Sequence, residues 1–328
     1  MTALLAVIAT MSIAPPRIPH STAQGAPKAR AGDPAREHRR ALIAPVASWG
    51  YQLRRLDVAE VAASPFDLVV IDYAPDRTES REIPFTRDEV RRMQAKPGGG
   101  RRLVMAYLSI GEAERYRTYW QSAWYEPATR PPWLLGVNPQ WDGNFLVQYW
   151  HPDWKRIVFG RPESYLDRIV AAGFDGVYLD RADAFQELAG KHPEAEREMV
   201  RFIGEIAAYA RSVRPELLIV MQNAEELVAH ASVRQAIDAI AKEDLLYGVN
   251  HDGRRNPAGM IAASLADLRR ARRAGLKVLA VEYLEPGEKA GKAAAEARRE
   301  GFVLHLTERS LGRLTPPAAP SAPPTAAR

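Results

Sequence analysis

Hydrophobic residues in this chain gather in short runs that recur along the sequence, separated by segments with helical periodicity. Most runs are continuously apolar rather than alternating, which is the pattern of parallel strands buried on both faces. An alternation of such strands with helices is typical of an α/β fold. We predict eight strands: Leu42–Ser48, Leu68–Asp72, Leu103–Leu108, Gly176–Asp180, Leu217–Met221, Ile237–Ala241, Lys277–Val281 and Phe302–Leu306.

The segments between these runs carry helix start and stop signals. Thr86–Met93 begins with a threonine and has Glu89 three residues later, which is the spacing of a capping box. Pro162–Ala172 ends at Gly173, a residue type that readily ends a helix. The pattern therefore repeats one unit of helix, stop, short turn and buried strand. The other predicted helices are Pro193–Val213, Ser264–Ala274 and Glu288–Arg299.

The number and spacing of these units favour a closed barrel. Eight β/α units over roughly 265 residues fit a (β/α)8 TIM barrel, for which about 250 residues are typical. The alternative is a doubly wound open sheet, but Trp49–Gln52 follows the first predicted strand where a glycine-rich phosphate loop would be expected. The long connection 109–152 holds five of the seven tryptophans, and we predict that it forms a lid or binding wall.

The two ends of the chain differ in composition from its body. Residues 3–14 form an apolar run that is too short to span a membrane and fits the core of a signal peptide, which would imply a secreted or periplasmic protein. A disordered N-terminus is the alternative. Residues 17–40 are rich in Pro, Ala and Arg. We therefore predict a candidate signal peptide and linker in 1–40, one barrel in 41–312 and a disordered Pro/Ala-rich tail in 313–328.

Charge and composition narrow the classes of partner. The net charge of +5 divides into +4 for residues 1–40, +2 for 307–328 and −1 for 41–306, so the body lacks the basic surface of a nucleic-acid-binding protein. The sequence contains no run of 18 apolar residues, so we predict no stable membrane insertion. Cysteine is absent and the seven histidines are scattered, so we predict no metal or cofactor, with a carboxylate site for Mg2+ or Ca2+ as the remaining alternative.

Polar and aromatic residues follow most predicted strands, at the end where barrel enzymes carry their chemistry. Asp180 closes an apolar run and Glu243 follows another, so these two are the candidate catalytic residues. Paired carboxylates suit glycoside hydrolysis, because one protonates the leaving oxygen while the other attacks or activates water. The candidate substrate-binding residues are Trp49, Tyr51, Asp72, Tyr73, Ser109, Glu112, Trp150, Asp183, Gln222, Asn223, Glu282 and Tyr283.

Several of these residues have alternative interpretations. Asp72 and Asp183 could cap the helices that follow them, and Glu112 could form a salt bridge. The aromatic residues could stack on sugar rings or lie in the core. The predicted rim carries many acids and few cations, which favours a cationic polymer over a uronic-acid polymer. The acids of this rim are Asp72, Glu112, Asp183, Glu225 and Glu282.

The order and spacing of several motifs resemble a known enzyme family over residues 42–306. The family is that of the endo-α-1,4-polygalactosaminidases (glycoside hydrolase family 114) and its bacterial relatives. The resemblance implies a (β/α)8 barrel that cleaves galactosamine-containing polysaccharide, with catalytic residues at Asp180 after strand four and Glu243 after strand six. The motifs are WGYQL at 49–53, VVIDYA at 69–74, AYLSIGEAE at 106–114, QYWHPDW at 148–154, GVYLDRADAF at 176–185, MQNAEEL at 221–227 and EDLLYG at 243–248.

Together these observations predict a retaining endo-hydrolase of an amino sugar polymer. Asp180 is expected to attack the anomeric carbon, and Glu243 is expected to act as general acid and then as general base. Two alternatives remain open at this point. One is a barrel that binds polysaccharide without cleaving it, and the other is an exo-acting α-glycosidase with a closed pocket.

Overall fold

The computed structural model describes residues 33–75, 77–78 and 81–315, with 77, 78 and 81 described by their backbone. The predicted signal peptide and most of the C-terminal tail lie outside the described residues. Eight parallel strands form the central sheet, and each pairs with the next one in chain order. They are β1 (Trp49–Gln52), β2 (Leu68–Ile71), β3 (Leu103–Ser109), β4 (Gly176–Asp180), β5 (Leu218–Gln222), β6 (Ala239–Glu243), β7 (Lys277–Glu282) and β8 (Val303–Leu306).

The sheet curves until its first and last strands lie side by side. The indole nitrogen of Trp49 in β1 donates to the carbonyl oxygens of Val303 (2.9 Å) and Ala280 (3.2 Å). The sheet is therefore a nearly closed barrel, and with the helices around it this confirms the predicted (β/α)8 TIM barrel.

Helices cover the outside of the barrel. No helix in the described ranges is long and apolar enough to cross a membrane. The helices are α1 (Pro34–Ile43), α2 (Val58–Ala63), α3 (Arg87–Gln94), α4 (Pro152–Val158), α5 (Tyr165–Ala172), α6 (Ala184–Leu188), α7 (Ala195–Val213), α8 (Ala231–Ala236), α9 (Ala258–Arg273) and α10 (Glu288–Glu300). Short 3-10 helices span Ser122–Tyr125 and Glu225–Ala229, and Arg77–Thr78 pairs with Arg81–Glu82.

Local signals placed several element ends correctly. Thr86 accepts from the backbone of Glu89 and the Glu89 carboxylate accepts from the backbone of Thr86, so the predicted capping box is present. Gly173 ends α5 in the left-handed conformation with φ 89°, which glycine adopts without a steric cost. Both signals work because they depend only on residues within one turn of each other.

The start of the barrel differs from the prediction in two ways. Residues 34–40 belong to α1 rather than to a linker, and the first strand is Trp49–Gln52 rather than Leu42–Ser48. The apolar side chains of Ile43 and Val46 pack against the inside of the barrel from its N-terminal end. The buried guanidinium of Arg39 fixes α1 there through Asp238, at 3.1 Å. The apolar run 42–48 is therefore a plug beneath the barrel.

Alternate residues of each strand fill the barrel. Strand side chains alternate between two faces, so the residue two positions beyond the last interior side chain lies at the mouth. By this rule the strand ends at the mouth carry Asp72, Ser109, Asp180, Gln222, Glu243 and Tyr283. The interior side chains include Tyr51, Val70, Tyr107, Tyr178, Val220, Ala241 and Val281.

The long connection after β3 is structured, and it borders the mouth. Its segments Glu112–Glu114, Leu134–Val137 and Asn144–Val147 form an antiparallel sheet. Trp124 and Trp133 are buried in it, and their rings are 5.1 Å apart. The connection is thus a packed, structured segment, and its role as a lid or binding wall stays a prediction.

We predict that Gly176→Ala destabilises the barrel. A Cβ at Gly176 would lie 2.2 Å from the carbonyl oxygen of Leu218 and 2.5 Å from Cε of Met105. We expect the free energy of unfolding, measured in denaturant, to fall by about 1–3 kcal/mol, as in other overpacked cores. Gly204→Ala is the control, because no atom lies within 4 Å of its added Cβ and helix α7 should gain roughly 0.5–1 kcal/mol. Equal effects of the two changes would contradict this packing.

Candidate active site

Asp180 lies at the centre of the barrel mouth. It is the last residue of β4, in register with Ser109 of β3, and its side chain is partly exposed. The hydroxyl of Tyr107 donates to Oδ2 of Asp180 at 2.7 Å. Burial and, next, the charge of Glu243 raise the pKa of Asp180 to about 7, against the opposing hydrogen bond from Tyr107. Near neutral pH Asp180 can therefore take up or release a proton.

Glu243 lies at the end of β6 among hydrogen-bond donors. The hydroxyl of Tyr283 donates to Oε1, and Nδ2 of Asn223 donates to Oε2 at 3.4 Å. Asn223 also accepts from the backbone N–H of Glu243, at 3.1 Å, and the Gln222 side chain adds a further hydrogen bond to the carboxylate. Burial raises the pKa of Glu243, while these donors oppose the rise. The donors hold the side chain in one orientation.

The structure brings the predicted pair together at the mouth, close enough for their charges to act on each other and on the interior Tyr178. The charge of Glu243 raises the pKa of Asp180, and both charges raise the pKa of Tyr178 after its own burial. Two carboxyls in such proximity bind a shared proton more tightly than either would alone. In the described part of the chain, no three His, Asp or Glu side chains are grouped so that they could hold a metal ion. The arrangement suits proton transfer and nucleophilic attack.

Three predicted substrate-binding residues lie beneath the surface instead. Asp72 is fully buried, and its two oxygens accept from the two terminal nitrogens of Arg117, each at 2.9 Å. The ring of Tyr73 is buried, and the Ser109 hydroxyl donates to the carbonyl oxygen of Glu112 at 3.1 Å. These side chains are sealed from solvent and hold the loops of the mouth, so the prediction that they contact substrate is corrected.

The predicted aromatic rim is also revised. Trp49 begins β1 and therefore lies at the closed end of the barrel, far along the strand from the mouth. Tyr51 is buried inside the barrel, and its hydroxyl lies 3.4 Å from Oε1 of Gln222, which it supports from below. Trp150 stacks on the ring of His192 at 4.2 Å. Tyr283 is the predicted aromatic residue that reaches the carboxylate pair.

Arg181 neutralises part of the predicted acidic rim. Its Nε lies 2.9 Å from Oε1 of the buried Glu112, its Nη1 lies 3.3 Å from Asp183, and its Nη2 reaches Glu187. Glu112 also accepts from the amide of Asn138 at 2.8 Å. Asp183 remains partly exposed and makes no capping hydrogen bond to α6. The predicted shortage of cations at the mouth is therefore wrong, because arginines in the loops form ion pairs with the acids there.

Glu282 and Glu225 are likewise bound to groups of the protein itself. Glu282 is buried and accepts from the backbone N–H groups of Leu246 (2.7 Å) and Tyr247 (3.1 Å). Burial raises the pKa of Glu282 to about 8. Glu225 pairs with Lys242 at 3.4 Å. Both residues organise the loops after β5 and β6, which corrects the prediction that Glu282 binds substrate.

Arg309 supports the Glu243 side of the mouth and was missed by the sequence analysis. Its guanidinium lies 4.3 Å from the centre of the Tyr283 ring and donates to both oxygens of Asp244, each at 3.0 Å. Asp244 follows Glu243 directly and has φ 49°. A Cβ at Gly248 would lie 2.3 Å from Oδ1 of Asp244, so glycine is needed there.

Tyr107 and Glu114 were also missed, although one signal for Tyr107 was present. Tyr107 lies on the interior face of β3 two residues before Ser109, so the alternation of strand side chains places it directly beneath the mouth. Glu114 accepts from the Tyr107 hydroxyl at 3.1 Å and from Nε of Arg117 at 2.7 Å. Both contacts are local in sequence, but neither residue stands at a predicted strand end, so the sequence did not single them out.

Comparisons with known proteins identify a matching family, similar sequences and a similar fold. The profile of glycoside-hydrolase family GH114 matches residues 31–319. An uncharacterised protein of Deinococcus radiodurans is 39% identical over 277 residues, which cover 83% of each chain. One from Methanocaldococcus jannaschii is 38% identical over 249 residues, 74% of this chain and 67% of that protein. The glycoside hydrolase domain of PelA from Pseudomonas aeruginosa has a similar fold, with a TM-score of 0.61 and 20% identity over 81% of this chain and 96% of that domain.

We predict that Asp180→Asn stabilises the protein at alkaline pH. The pKa of Asp180 is about 7 in the folded protein and lower in the unfolded chain, so folding loses stability as pH rises from about 4 to 7. The amide removes this loss. Because the side chain is partly exposed, we expect a gain of about 1–2 kcal/mol at pH 8 and little difference at pH 4.

Chemical denaturation across this pH range measures the difference. Asp142→Asn is the control for a change of surface charge, because the Asp142 side chain is 93% exposed. A stability difference between Asp180→Asn and the parent that is the same at both pH values would contradict the raised pKa.

Proposed function

The chain belongs to glycoside-hydrolase family GH114, and on this basis we propose that it cleaves α-1,4-linked galactosamine polysaccharide within the polymer. It is a glycoside hydrolase built on a (β/α)8 barrel. The observation that carries the proposal is the pair Asp180 and Glu243, two partly exposed carboxyls at the mouth, of which the charge of Glu243 raises the pKa of Asp180. Such a pair suits the breaking of a glycosidic bond.

The proposed reaction is a double displacement. Asp180 attacks the anomeric carbon while Glu243 protonates the departing glycosidic oxygen, which gives a glycosyl ester of Asp180. Glu243, now ionised, removes a proton from water. The water oxygen bonds to the anomeric carbon and releases Asp180 as a carboxylate. Retention requires the carboxyls to lie about 5–5.5 Å apart, whereas about 6.5–9.5 Å would leave room for a water molecule and give inversion.

The hydrogen bonds bear on which carboxyl attacks. The reaction needs one of the two carboxyls protonated and the other ionised. The raised pKa of Asp180, about 7, supports this state of the pair at neutral pH. Donors from Tyr283, Asn223 and Gln222 face Glu243, and they favour its ionised form. This favours the reverse assignment, in which Glu243 attacks and Asp180 is the acid. We retain Asp180 as nucleophile because the family resemblance implies it, and the next experiment decides between the two.

We predict that Asp180→Ala and Glu243→Ala each lower kcat by at least about 10²–10⁴-fold, the range associated with general acid–base groups. Added azide should restore turnover in the nucleophile variant and yield a glycosyl azide of inverted configuration, because the small anion occupies the space of the lost carboxylate. We expect this product with Asp180→Ala.

Asp142→Ala is the matched control, since it removes an exposed carboxyl beyond the pair. The inverted azide product from Glu243→Ala would exchange the two roles. Parental activity in both variants would refute the proposed site.

The substrate proposal rests on fewer charges than the sequence indicated. Asp72, Glu112 and Glu282 are buried and engaged, so the acids that support binding of an ammonium group are the pair itself and the partly exposed Asp183. Arg181 and Arg309 limit this potential. The electrostatic preference should therefore be local to sugars at the mouth rather than spread along a groove.

We predict the release of oligosaccharides from deacetylated α-1,4-galactosamine polymer. An endo-hydrolase should give a ladder of product sizes by mass spectrometry, and uronic-acid polymers should remain intact. Added salt should raise KM, because it screens the attraction of ammonium groups to the carboxylates. A single small product from the chain end would indicate exo action. Binding without new reducing ends would indicate a non-catalytic barrel.

A further inference from the structure

The hydroxyl of Tyr107 lies between two carboxylates. It is 2.7 Å from Oδ2 of Asp180 and 3.1 Å from Oε1 of Glu114. Burial, and then the charge of Asp180, raise the pKa of the Tyr107 phenol well above its usual value, so the phenol keeps its proton. The phenol has one hydrogen, so it can make one strong, well-aligned hydrogen bond at a time. The direction in which it points must therefore depend on the charges of the two acceptors.

Glu114 is held firmly without the hydrogen of Tyr107. Its side chain is fully buried, Nε of Arg117 donates to Oε2 at 2.7 Å, and the Tyr116 hydroxyl donates to Oε1. Its backbone N–H donates to the Tyr119 hydroxyl at 2.8 Å. Glu114 can therefore gain or lose the hydrogen bond that Tyr107 donates while its own position is unchanged.

We propose that Tyr107 and Glu114 are positioning residues, in which the Tyr107 hydroxyl points to Asp180 when Asp180 is ionised and turns to Glu114 when Asp180 is neutral. This inference rests on the proposed function, because the reaction makes Asp180 alternate between the two states in every turnover, as a change of pH does in the free protein. It holds whether Asp180 is nucleophile or acid, since either role includes one charged and one neutral form.

The turn follows from the relative strength of the acceptors. A hydrogen bond to an ionised oxygen is roughly twice as strong as one between neutral groups. When Asp180 becomes an ester or an acid, its oxygen becomes the weaker acceptor and the carboxylate of Glu114 becomes the stronger one. The O–H bond of Tyr107 rotates and no proton changes its heavy atom. Glu114 thereby stabilises the neutral state of Asp180, which is the glycosyl ester if Asp180 is the nucleophile and the protonated acid if Asp180 is the proton donor.

Other charged groups lie near the three hydrogen-bonded side chains Asp180, Tyr107 and Glu114, and their effects must be told apart from the effects of these three. Asp180 also senses Glu243, Asp183 and Arg181. Tyr107 is faced in addition by Tyr116, Tyr51 and, over its ring, the guanidinium of Arg117. These groups are chemically the same in every variant at Tyr107 or Glu114, so the comparison of single and double variants isolates the contribution of the hydrogen bonds Asp180–Tyr107–Glu114. The groups facing Glu114 are Arg117, Tyr107, Tyr116, Tyr119, Tyr165 and Glu112.

The test follows the titration of Asp180 by NMR of protein labelled with 13C at the aspartate carboxyl, with the resonance assigned by its loss in Asp180→Asn. Tyr107→Phe should raise the pKa of Asp180 by about one unit, because a donor to its ionised form is lost. Glu114→Gln should lower that pKa by about one unit, because a neighbouring negative charge and a competing acceptor are lost. Shifts in the same direction would overturn the proposal.

A double variant separates the hydrogen bond from simple repulsion. If Glu114 acts through Tyr107, then Glu114→Gln should shift the pKa of Asp180 less in the Tyr107→Phe background than in the parent. An equal shift in both backgrounds would mean that the charge acts directly, and the turning hydroxyl would be refuted. The limb of the kcat/KM profile that Asp180 sets, acid if it is the nucleophile and alkaline if it is the proton donor, should move in the same direction as each NMR titration.

Two further variants keep the test decisive. Tyr165→Phe is the control, because the buried Tyr165 hydroxyl has no hydrogen-bond partner among the described residues and Asp180 should titrate as in the parent. Should Glu114→Gln fail to fold, Tyr116→Phe replaces it. Loss of its donor makes Glu114 compete more strongly for the Tyr107 hydrogen, so the pKa of Asp180 should rise, and a fall would contradict the proposal.

The NMR result also separates failure of this inference from failure of the proposed function. If Asp180→Ala retained full activity, the proposed function would fail while the titration shifts could still appear. If that variant were inactive and the shifts were absent, the inference alone would fail.

Discussion

The confinement of two carboxyls in a mouth surrounded by protein is the constraint on which this structure depends. Asp180 and Glu243 are only partly exposed, so each charge is costly, and the charge of Glu243 adds to the cost of ionising Asp180. The tyrosines that face them reduce this cost by donating hydrogen bonds, from Tyr107 to one carboxyl and from Tyr283 to the other. The mouth is thereby balanced between two protonation states.

A second layer of ion pairs keeps these donors in place. Arg117 is fully buried and binds Asp72, Glu82 and Glu114, which come from three different segments of the chain. A buried charge cluster of this kind contributes to stability only when its partners are present, and removal of one partner leaves an uncompensated charge. Here the cluster fixes geometry, because it holds the connection after β3, which lies beside Tyr107, to the end of strand β2.

The barrel was predictable because its signals are local, whereas much of the site was not. Continuous apolar runs and a stop at Gly173 report on neighbouring residues, and they placed most strands and helices. The apolar run 42–48 was misassigned because a plug beneath the barrel is as hydrophobic as a strand. Asp180 and Glu243 could be named from strand ends, but Arg117 and Arg309 bind acids 45 and 65 residues away along the chain. Such pairs arise from the fold and leave no pattern in the sequence.

The placement of Arg309 has a consequence for how the molecule is made. This residue follows the last strand of the barrel, yet it fastens the loop that directly follows Glu243. During synthesis the N-terminal part of a chain emerges first, and all eight strands precede Arg309, so they can be made before this fastening exists. The nascent barrel should therefore hold a loosely ordered mouth, and its chemistry would begin only after the final stretch has docked.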